Sequence, residues 1–326
     1  MALLTNASTS YDIKTSGTEE DVIDIKEIVY NISPTETPFV NSVGTRNVSN
    51  TVFEWITEEL SATSTTTDLE GDAISAAAAS LTTRNSNVCQ IMSRAVAVTG
   101  TQSAIKLYGK TSQMAHQMAR RTKELKRSVE AALLSNQAKA TGNSTTARTS
   151  AMIGAWLKTN TSFDVTTGAG LTPGADPVTV GSTARTDSST QRALTAPLIN
   201  TVMQSCYTEG GEPDRLMVGP FNKTVVSTLT GRSIAREMID SNTAGSNVTV
   251  FATDFGDLQV MPNRFQRERD AFLISPEFAK VSYLRNFQVS TLGRTSDAES
   301  KYVVVEFGME MTTEAAHGGI FDLTTS

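Results

Sequence analysis

Two histidines, His116 and His317, are the side chains best suited to acid–base or metal chemistry in this sequence. Neither has a cysteine or a second histidine at metal-ligand spacing, so the pattern does not predict a zinc site. His116 lies within a helical pattern and is expected to be packed or solvated. His317 precedes Gly318 and Gly319, as in the oxyanion loops of esterases, but no G-x-S-x-G nucleophile motif occurs. We interpret the glycines as a tight turn after the last strand.

Three acidic residues, Asp68, Glu70 and Asp72, surround Gly71 and could offer oxygen ligands to calcium. The spacing and closing glutamate of an EF-hand are absent, so we interpret this stretch as a hydrated loop tip. General acid–base catalysis needs carboxylates that converge on a cleft. We therefore predict no enzyme activity, catalytic residue, cofactor or metal site. A carboxylate-dependent hydrolase is the alternative, and a deep pocket lined by at least two carboxylates would support it.

The composition excludes several classes of protein. A net charge of -6 argues against a dedicated nucleic-acid binder, which needs clustered lysine and arginine. Abundant Thr, Ser and Ala, with 39% hydrophobic residues, indicate a thin body that neighbours complete. Cys89 and Cys206 are far apart with no CxxC motif, which predicts free thiols. No apolar run of eighteen residues occurs, so no membrane-spanning helix is predicted.

A long helix is the strongest structural prediction in the chain. Thr111 or Ser112 can cap its start and Gly142 can end it. Residues 111–140 would then form a rod of about 45 Å. Apolar side chains recur at helical spacing within it: Met114, Met118, Leu125, Val129 and Leu133.

The same stretch is strongly basic. It carries Arg120, Arg121, Lys123, Lys126, Arg127 and Lys139 against Glu124 and Glu130. One interpretation is a solvated face on which Glu124 pairs with Arg127 three residues later. The other is a surface for an acidic partner or for packaged phosphate.

The N-terminal stretch is interpreted as an arm. Residues 16–19 resemble a capping box that opens a short helix. The segment SPTETPFVNSVG follows in an extended conformation, with Phe39 and Val40 as its apolar anchors. We expect this arm to lie on a neighbouring subunit or across the long helix.

A projecting hairpin is predicted next. Strands near Asn50–Ile56 and Val88–Val98 flank residues 60–87, which are almost free of large apolar side chains. A hairpin tip of that length is usually functional or disordered. We interpret the whole as a long β-hairpin that becomes ordered on another chain.

The second half alternates helices and strands, which predicts a compact α+β region. The predicted elements are a helix at Gln191–Thr208 stopped by Gly210–Gly211, a strand at Arg215–Val218, helices at Pro220–Leu229 and Ser233–Ile239, and strands at Val248–Thr253, Leu258–Met261, Ala271–Ile274 and Ala279–Leu284. A last strand, Tyr302–Met311, has an apolar face and a second face with Glu306 and Glu310 that we expect to be wet. Its expected partners are the strands flanking the hairpin.

Taken in order, four segments resemble the major capsid proteins of tailed bacteriophages with the Hong Kong 97-type fold. They are SPTETPF, FEWITEEL at the hairpin entrance, ELKRSVEAALLSNQAKA in the long helix, and the closing VVVEFGMEMTTEAAHGGIFDLT. The resemblance covers nearly the whole chain. It implies an α+β fold with an N-terminal arm at 1–48, a peripheral domain at 49–140 plus 299–326, a connecting loop region at 141–189 and an axial domain at 190–298. The peripheral domain would include the extended loop at 52–95 and the spine helix at 111–140.

The resemblance also implies a function. Such proteins self-assemble as hexamers and pentamers into an icosahedral shell that encloses the phage genome in the virion, and they assemble in the host bacterial cytoplasm. The implied partners are further copies of the chain, a separate scaffolding protein, a portal protein, and packaged double-stranded DNA contained without sequence-specific binding.

Two departures from the family matter. No lysine occurs between Lys26 and Lys106, so the covalent crosslinking of some relatives through a loop lysine is not expected. The arm begins almost at Met1, which favours a separate scaffolding protein over a fused segment.

The candidate inter-subunit contacts lie on the arm, the hairpin and the long helix. They are Phe39, Val40, Asp68, Glu70, Asp72, Arg84, Arg120, Arg121 and Lys123. Encapsulin nanocompartments share the implied fold, so a bacterial shell around a cargo enzyme is the near alternative. A decoration or tail-fibre protein is disfavoured by the long helix and the absence of β-repeats.

Overall fold

The computed structural model describes residues 36–58, 81–105, 112–229, 250–294 and 297–326, together with 65, 67, 70 and 71. The helices predicted near residues 19–29 and 233–239 lie outside these residues. The helices are α1 (Pro38–Ser42), α2 (Gly100–Ala104), α3 (Gln113–Leu133), α4 (Ile153–Trp156), α5 (Ala196–Thr208) and α6 (Pro220–Thr228). The strands are β1 (Gly44–Asn47), β2 (Val52–Thr57), β3 (Thr83–Val88), β4 (Gln90–Thr99), β5 (Thr161–Ser162), β6 (Arg215–Val218), β7 (Val250–Thr253), β8 (Gly256–Pro262), β9 (Ala271–Ile274), β10 (Ala279–Thr291), β11 (Ala298–Met311) and β12 (Gly318–Ile320).

The long helix is α3, and it is shorter than predicted. Ser112 caps its start by accepting a hydrogen bond from the Ala115 N–H, as expected. The predicted end near Ala140 is wrong, because the helix stops at Leu133 after 21 residues, a length of about 30 Å. Beyond it, the backbone bonds to other parts of the chain: Gly154 N–H donates to the Ser135 carbonyl at 3.2 Å, and Ala140 and Thr149 form a β-bridge.

A four-stranded sheet carries α3 on one face. Its strand order is β1-β10-β11-β4, with β1 parallel to β10 and the other pairs antiparallel. The apolar face of β11 shares one hydrophobic core with α3, as the alternation along this strand predicted. The buried core side chains include Leu125, Val129 and Leu133 from α3 and Val303, Val305, Phe307, Met309 and Met311 from β11.

The second face of β11 is buried, so the prediction of a wet face was wrong. Glu306 and Glu310 are each only 3% exposed. Arg148 and Arg285 bond the Glu306 carboxylate at 2.5 and 2.8 Å, and Arg46 bonds both oxygens of Glu310 at 2.8 Å. The carboxylates are buried because arginines from distant parts of the chain cover them, which paired charges require.

The base of the hairpin packs on that same face. β2 and β3 pair antiparallel from Val52↔Val88 to Thr57↔Thr83. The Phe53 ring lies so close to Gly308 that a Cβ there would sit 2.6 Å from it, which explains a glycine in the middle of β11. Trp55 contacts Trp156 with ring centroids 5.2 Å apart. The hairpin is thus anchored by its aromatic residues to the sheet and to α4.

The strand predicted at Val88–Val98 is in fact two strands divided at Cys89. The first, β3, is the hairpin partner of β2, and the second, β4, pairs with β11 in the four-stranded sheet. The expected pairing of the last strand with a hairpin-flanking strand is therefore confirmed for β4. The other neighbour of β11 is β10, which is much longer than the predicted Ala279–Leu284 strand and lies in this sheet.

A second sheet forms the other half, with strand order β5-β12-β9-β6-β8-β7. The strands predicted at Arg215–Val218 and Ala271–Ile274 are confirmed as β6 and β9. α5 starts later than predicted, at Ala196, and ends where expected, with Gly210 at φ 85°. α5 and α6 share a separate core with this sheet, which includes Ile199, Val202 and Val226.

The two glycines after His317 do not form the predicted turn. Gly318 and Gly319 lie in β12, which pairs with β9 and β5. A Cβ at Gly318 would collide with Val202 of α5. The glycines are therefore needed for close packing between strand and helix rather than for a turn.

Candidate assembly surfaces

The arm is attached to the long helix through one buried carboxylate. Glu130 of α3 is fully buried, and its Oε1 accepts the Phe39 N–H at 2.7 Å and the Asn263 amide at 2.6 Å. Its Oε2 accepts the Val40 N–H at 3.0 Å. Pro38 starts α1, so Glu130 bonds the first free N–H groups of that helix, where negative charge is stabilising. Glu130 thus joins the arm, the long helix and the loop after β8.

Burial and hydrogen bonding shift the pKa of Glu130 in opposite directions. Burial raises the pKa of this carboxyl, while the bonds from Val40, Phe39 and Asn263 lower it. Phe39 is fully buried within its own chain, and Val40 is half-buried against the same core. Of the two placements expected for the arm, the structure shows contact with the chain's own long helix. An inter-subunit contact of Phe39 or Val40 stays a prediction.

The hairpin exposes apolar and charged side chains beyond its anchored base. Ile56 is 63% exposed on β2 and Leu81, just before β3, is 93% exposed. Arg84 pairs with Glu54 across the hairpin at 3.5 Å, and both side chains are well exposed, so this pair adds little stability. Glu70 is exposed. Asp68 and Asp72 lie outside the described residues.

The basic face of α3 is formed by Arg120, Arg121, Lys123, Lys126 and Arg127, and its ion pairs differ from those predicted from the sequence. Glu124 accepts hydrogen bonds from Arg120 at 3.2 Å and Arg121 at 2.7 Å, so its predicted pairing with Arg127 is wrong. The bond from Arg121 lowers the pKa of the Glu124 carboxyl. Arg127 instead lies over the Phe265 ring, 5.4 Å from its centroid. Lys123 is exposed.

Lys139 does not belong to the basic face, because it lies beyond the end of α3. Its Nζ donates to the carbonyl and the hydroxyl of Ser86 at 3.0 and 3.1 Å. It therefore secures strand β3 of the hairpin.

Sequence reasoning missed a buried charge network near the C-terminus. Asp322 is fully buried with φ 60°, and its Oδ1 accepts hydrogen bonds from the Ser188 N–H and from Arg269, both at 2.8 Å. Its backbone carbonyl accepts the Arg192 N–H at 2.8 Å. Asp164 accepts hydrogen bonds from the hydroxyls of Thr190, Thr166 and Ser188, which lower its pKa to about 2. These bonds fasten the loop region to the second sheet.

Two further members of this network are also buried. The Arg185 guanidinium lies 3.2 Å from the centroid of the Phe321 ring and pairs with Asp176 at 3.4 Å. Burial raises the pKa of Asp270 to about 7, although Arg267 is 3.3 Å away. The dense charge of the segment RFQRERD, residues 264–270, is a sequence signal from which this region could have been found.

His317 is buried and structural. Its Nδ1 accepts the Ser275 N–H at 3.2 Å, and burial lowers the pKa of the imidazole to about 4. It therefore stays neutral at physiological pH and holds the loop after β9. His116 is half-buried on α3.

This burial predicts a pH dependence of stability. Between about pH 6.5 and pH 4 the unfolded chain binds a proton at His317 and the folded chain does not. The free energy of unfolding is therefore expected to decrease as the pH falls through this window, with His317 contributing about 3 kcal/mol. Chemical denaturation of the wild type and of His317→Gln at several pH values measures the difference. Parallel pH profiles for the two proteins would contradict this role.

The two cysteines are free, as predicted, and both are buried. Burial raises the pKa of Cys89 to about 11 and that of Cys206 to about 12. Both thiols are therefore protonated and inert near neutral pH.

Three surface cavities of about 590, 430 and 420 Å³ are lined by at most one carboxylate each, Glu54 in the first and Glu124 in the third. The described ranges contain no group of three or more His, Cys, Asp or Glu side chains that could hold a metal ion. Within those same ranges, no helix is long and apolar enough to span a bilayer.

Comparison with known proteins identifies the family that this chain matches. A family model described as SU10 major capsid protein matches residues 5–324. The major capsid protein of Escherichia phage Phieco32 is 34% identical over 109 residues, 33% of this chain and 31% of that protein. The match therefore spans about a third of that relative's length.

Solved structures share the fold over nearly their whole lengths. The capsid asymmetric unit of Cyanophage A-1(L) superposes with a TM-score of 0.63 at 11% identity, covering 93% of this chain and 96% of that one. A structure from Gordonia phage Cozz gives 0.60 at 13% identity, covering 100% and 99%. An encapsulin complex from Synechococcus elongatus gives 0.51 at 10% identity, covering 91% and 90%. With the family model matching all but the ends of the chain, the protein belongs to the SU10 major capsid protein family and has the Hong Kong 97-type α+β fold.

Proposed function

We propose that this chain builds the shell of a tailed-phage head by packing as hexamers and pentamers around the genome. The observation that carries the proposal is the family match across residues 5–324. The hairpin supports it, because Ile56 of β2 and Leu81, just before β3, are exposed apolar side chains that another chain could cover.

The proposed partners follow from the same assignment. Further copies of the chain form the shell, while a separate scaffolding protein and a portal protein serve assembly in the host bacterial cytoplasm. Double-stranded DNA is enclosed without sequence-specific binding, which suits a net charge of -6.

We propose a domain division close to that implied by the sequence. The four-stranded sheet with α3 and the hairpin corresponds to the peripheral domain, and the six-stranded sheet with α5 and α6 corresponds to the axial domain. Residues 279–291 join the peripheral domain in this division, because β10 pairs with β1 and β11. Gly318–Ile320 join the axial domain, because β12 pairs with β9 in the six-stranded sheet. The loop region at 141–189 connects the two.

A phage capsid is favoured over an encapsulin by the family model and the curated relative, since the fold alone is common to both. The genes adjacent to the coding sequence discriminate between them. A terminase, portal and tail locus supports the phage capsid, whereas a gene for a cargo enzyme would support the encapsulin.

Removing the hairpin tip tests the proposal. A deletion of residues 62–86 would also remove most of β3, so the sharper variant deletes residues 59–80 and leaves three residues between β2 and β3. We expect an unchanged fold and an assembly yield at least tenfold lower, measured by sedimentation and electron microscopy. A glycine-serine insert of the original length is the matched control for strand separation. Normal particles from the deletion would contradict the proposal.

A further inference from the structure

The exposed half of the basic face carries charge that its own helix does not neutralise. Between residues 120 and 127, five basic side chains face one acidic side chain, Glu124, a local net charge of +4. Arg120 and Arg121 already share Glu124, yet their side chains stay 62% and 39% exposed. Lys123 and Lys126 are exposed as well. Such a surface attracts an acidic partner.

A groove runs beside this face. It is a cavity of about 420 Å³ lined by Arg94, Glu124, Arg127, Ser128, Ala131 and Phe265. Arg94 reaches the Ser128 hydroxyl at 3.3 Å, so a second arginine adds positive charge to the groove from strand β4.

The first described residues of the chain are attached to α3 near this groove. Phe39 bonds Glu130, which lies one helical turn from Arg127, and Asn263 on the same carboxylate is two residues from Phe265. Phe39 is therefore attached about one helical turn from the groove, and residue 36, where the described chain begins, is three positions before it.

The preceding residues have the complementary charge. Residues 19–27, EEDVIDIKE, contain five acidic side chains and one basic side chain, a net charge of -4. Eight residues separate Glu27 from Glu36, a reach of about 26 Å when extended. The distance along α3 from Glu130 to Arg120 is about 15 Å. The acidic segment can therefore reach the whole basic face of its own chain.

We propose that residues 19–27 bind the basic face of α3 within the same chain, with their carboxylates on Arg120, Lys123 and Lys126. The face is then a docking site for the chain's own arm, and phosphates of packaged DNA have no access to it. This inference concerns a single subunit and does not depend on the proposed shell function.

A zero-length carbodiimide crosslinker, which joins carboxylates to amines in direct contact, tests this in the full-length protein. Equal amounts of ¹⁴N- and ¹⁵N-labelled chains are mixed, crosslinked and analysed by mass spectrometry. We expect links from residues 19–27 to Lys123 and Lys126 at least fivefold above those to Lys158, an exposed control lysine. We also expect each linked pair to carry a single isotope. Mixed-isotope pairs, or links no more frequent than those to Lys158, would overturn the proposal.

Charge reversal provides a second, independent test. Arg120→Glu combined with Arg121→Glu should reduce the links at least fivefold, and Glu19→Lys with Glu20→Lys in the same chain should restore the contact. High salt should weaken it, because exposed charges are screened. Links that are unaffected by the reversal, or that are displaced by added duplex DNA at low salt, would contradict the assignment.

Discussion

Replacing Glu130 with alanine is expected to lower the free energy of unfolding by about 3 kcal/mol. The change removes a buried carboxylate that accepts three hydrogen bonds. It leaves the Phe39 N–H buried without an acceptor and the Asn263 amide with only the weak sulfur acceptor of Met217. Urea denaturation of the subunit under conditions that keep it unassembled measures the loss. Proteolysis before residue 43 should also become faster, because the variant releases α1 from the long helix.

Glu130→Gln is the matched control for this prediction. Glutamine keeps the shape and one acceptor oxygen, so its effect should be clearly smaller than that of alanine. A loss below about 1 kcal/mol for Glu130→Ala would show that the arm is held elsewhere.

Replacing Asp322 with alanine should lower the free energy of unfolding by about 3 kcal/mol, since it removes a fully buried carboxylate that accepts hydrogen bonds from buried backbone and side-chain donors. The N–H groups of Ser188 and Asp164 would lose this acceptor, whereas Arg269 would lose one partner and keep the Ser188 carbonyl and Asp187. The backbone adds to the penalty, because Asp322 has φ 60°, a conformation that aspartate and asparagine tolerate better than alanine. Thermal and urea unfolding of the full chain measure the effect.

Asp322→Asn separates the charge from the backbone. Asparagine keeps the tolerance for positive φ and one acceptor, so it should be less damaging than alanine. Arg84→Ala serves as a control for an exposed pair, for which a change within about 1 kcal/mol is expected. Equal losses for Asp322→Ala and Arg84→Ala would contradict the importance of the buried network.

The sequence predicted the elements whose patterns are local. The apolar spacing of α3, the strands β6 and β9, and the glycine stop after α5 follow from residues near one another in the chain. Prediction from the sequence failed where residues that are distant in the chain determine the local structure. The stretch 135–140 leaves the helix because its backbone finds partners around Gly154 and Thr149, which no helical periodicity could reveal.

Burial of charge was the hardest feature to predict. Alternation along β11 placed Glu306 and Glu310 on one face correctly, but their cover comes from Arg46, Arg148 and Arg285, which are far away in sequence. The role of Glu130 was missed for the same reason. From the sequence it was only one acidic residue on a basic helix, whereas in the structure it accepts hydrogen bonds from the arm.

Electron microscopy of the purified full-length protein tests the central claim most directly. Sedimentation of the same sample gives the fraction of chains in assemblies. If the chain is a shell subunit, rings of five and six subunits or closed icosahedral particles should be present. A monodisperse monomer without rings or shells, with and without a scaffolding protein, would contradict the account.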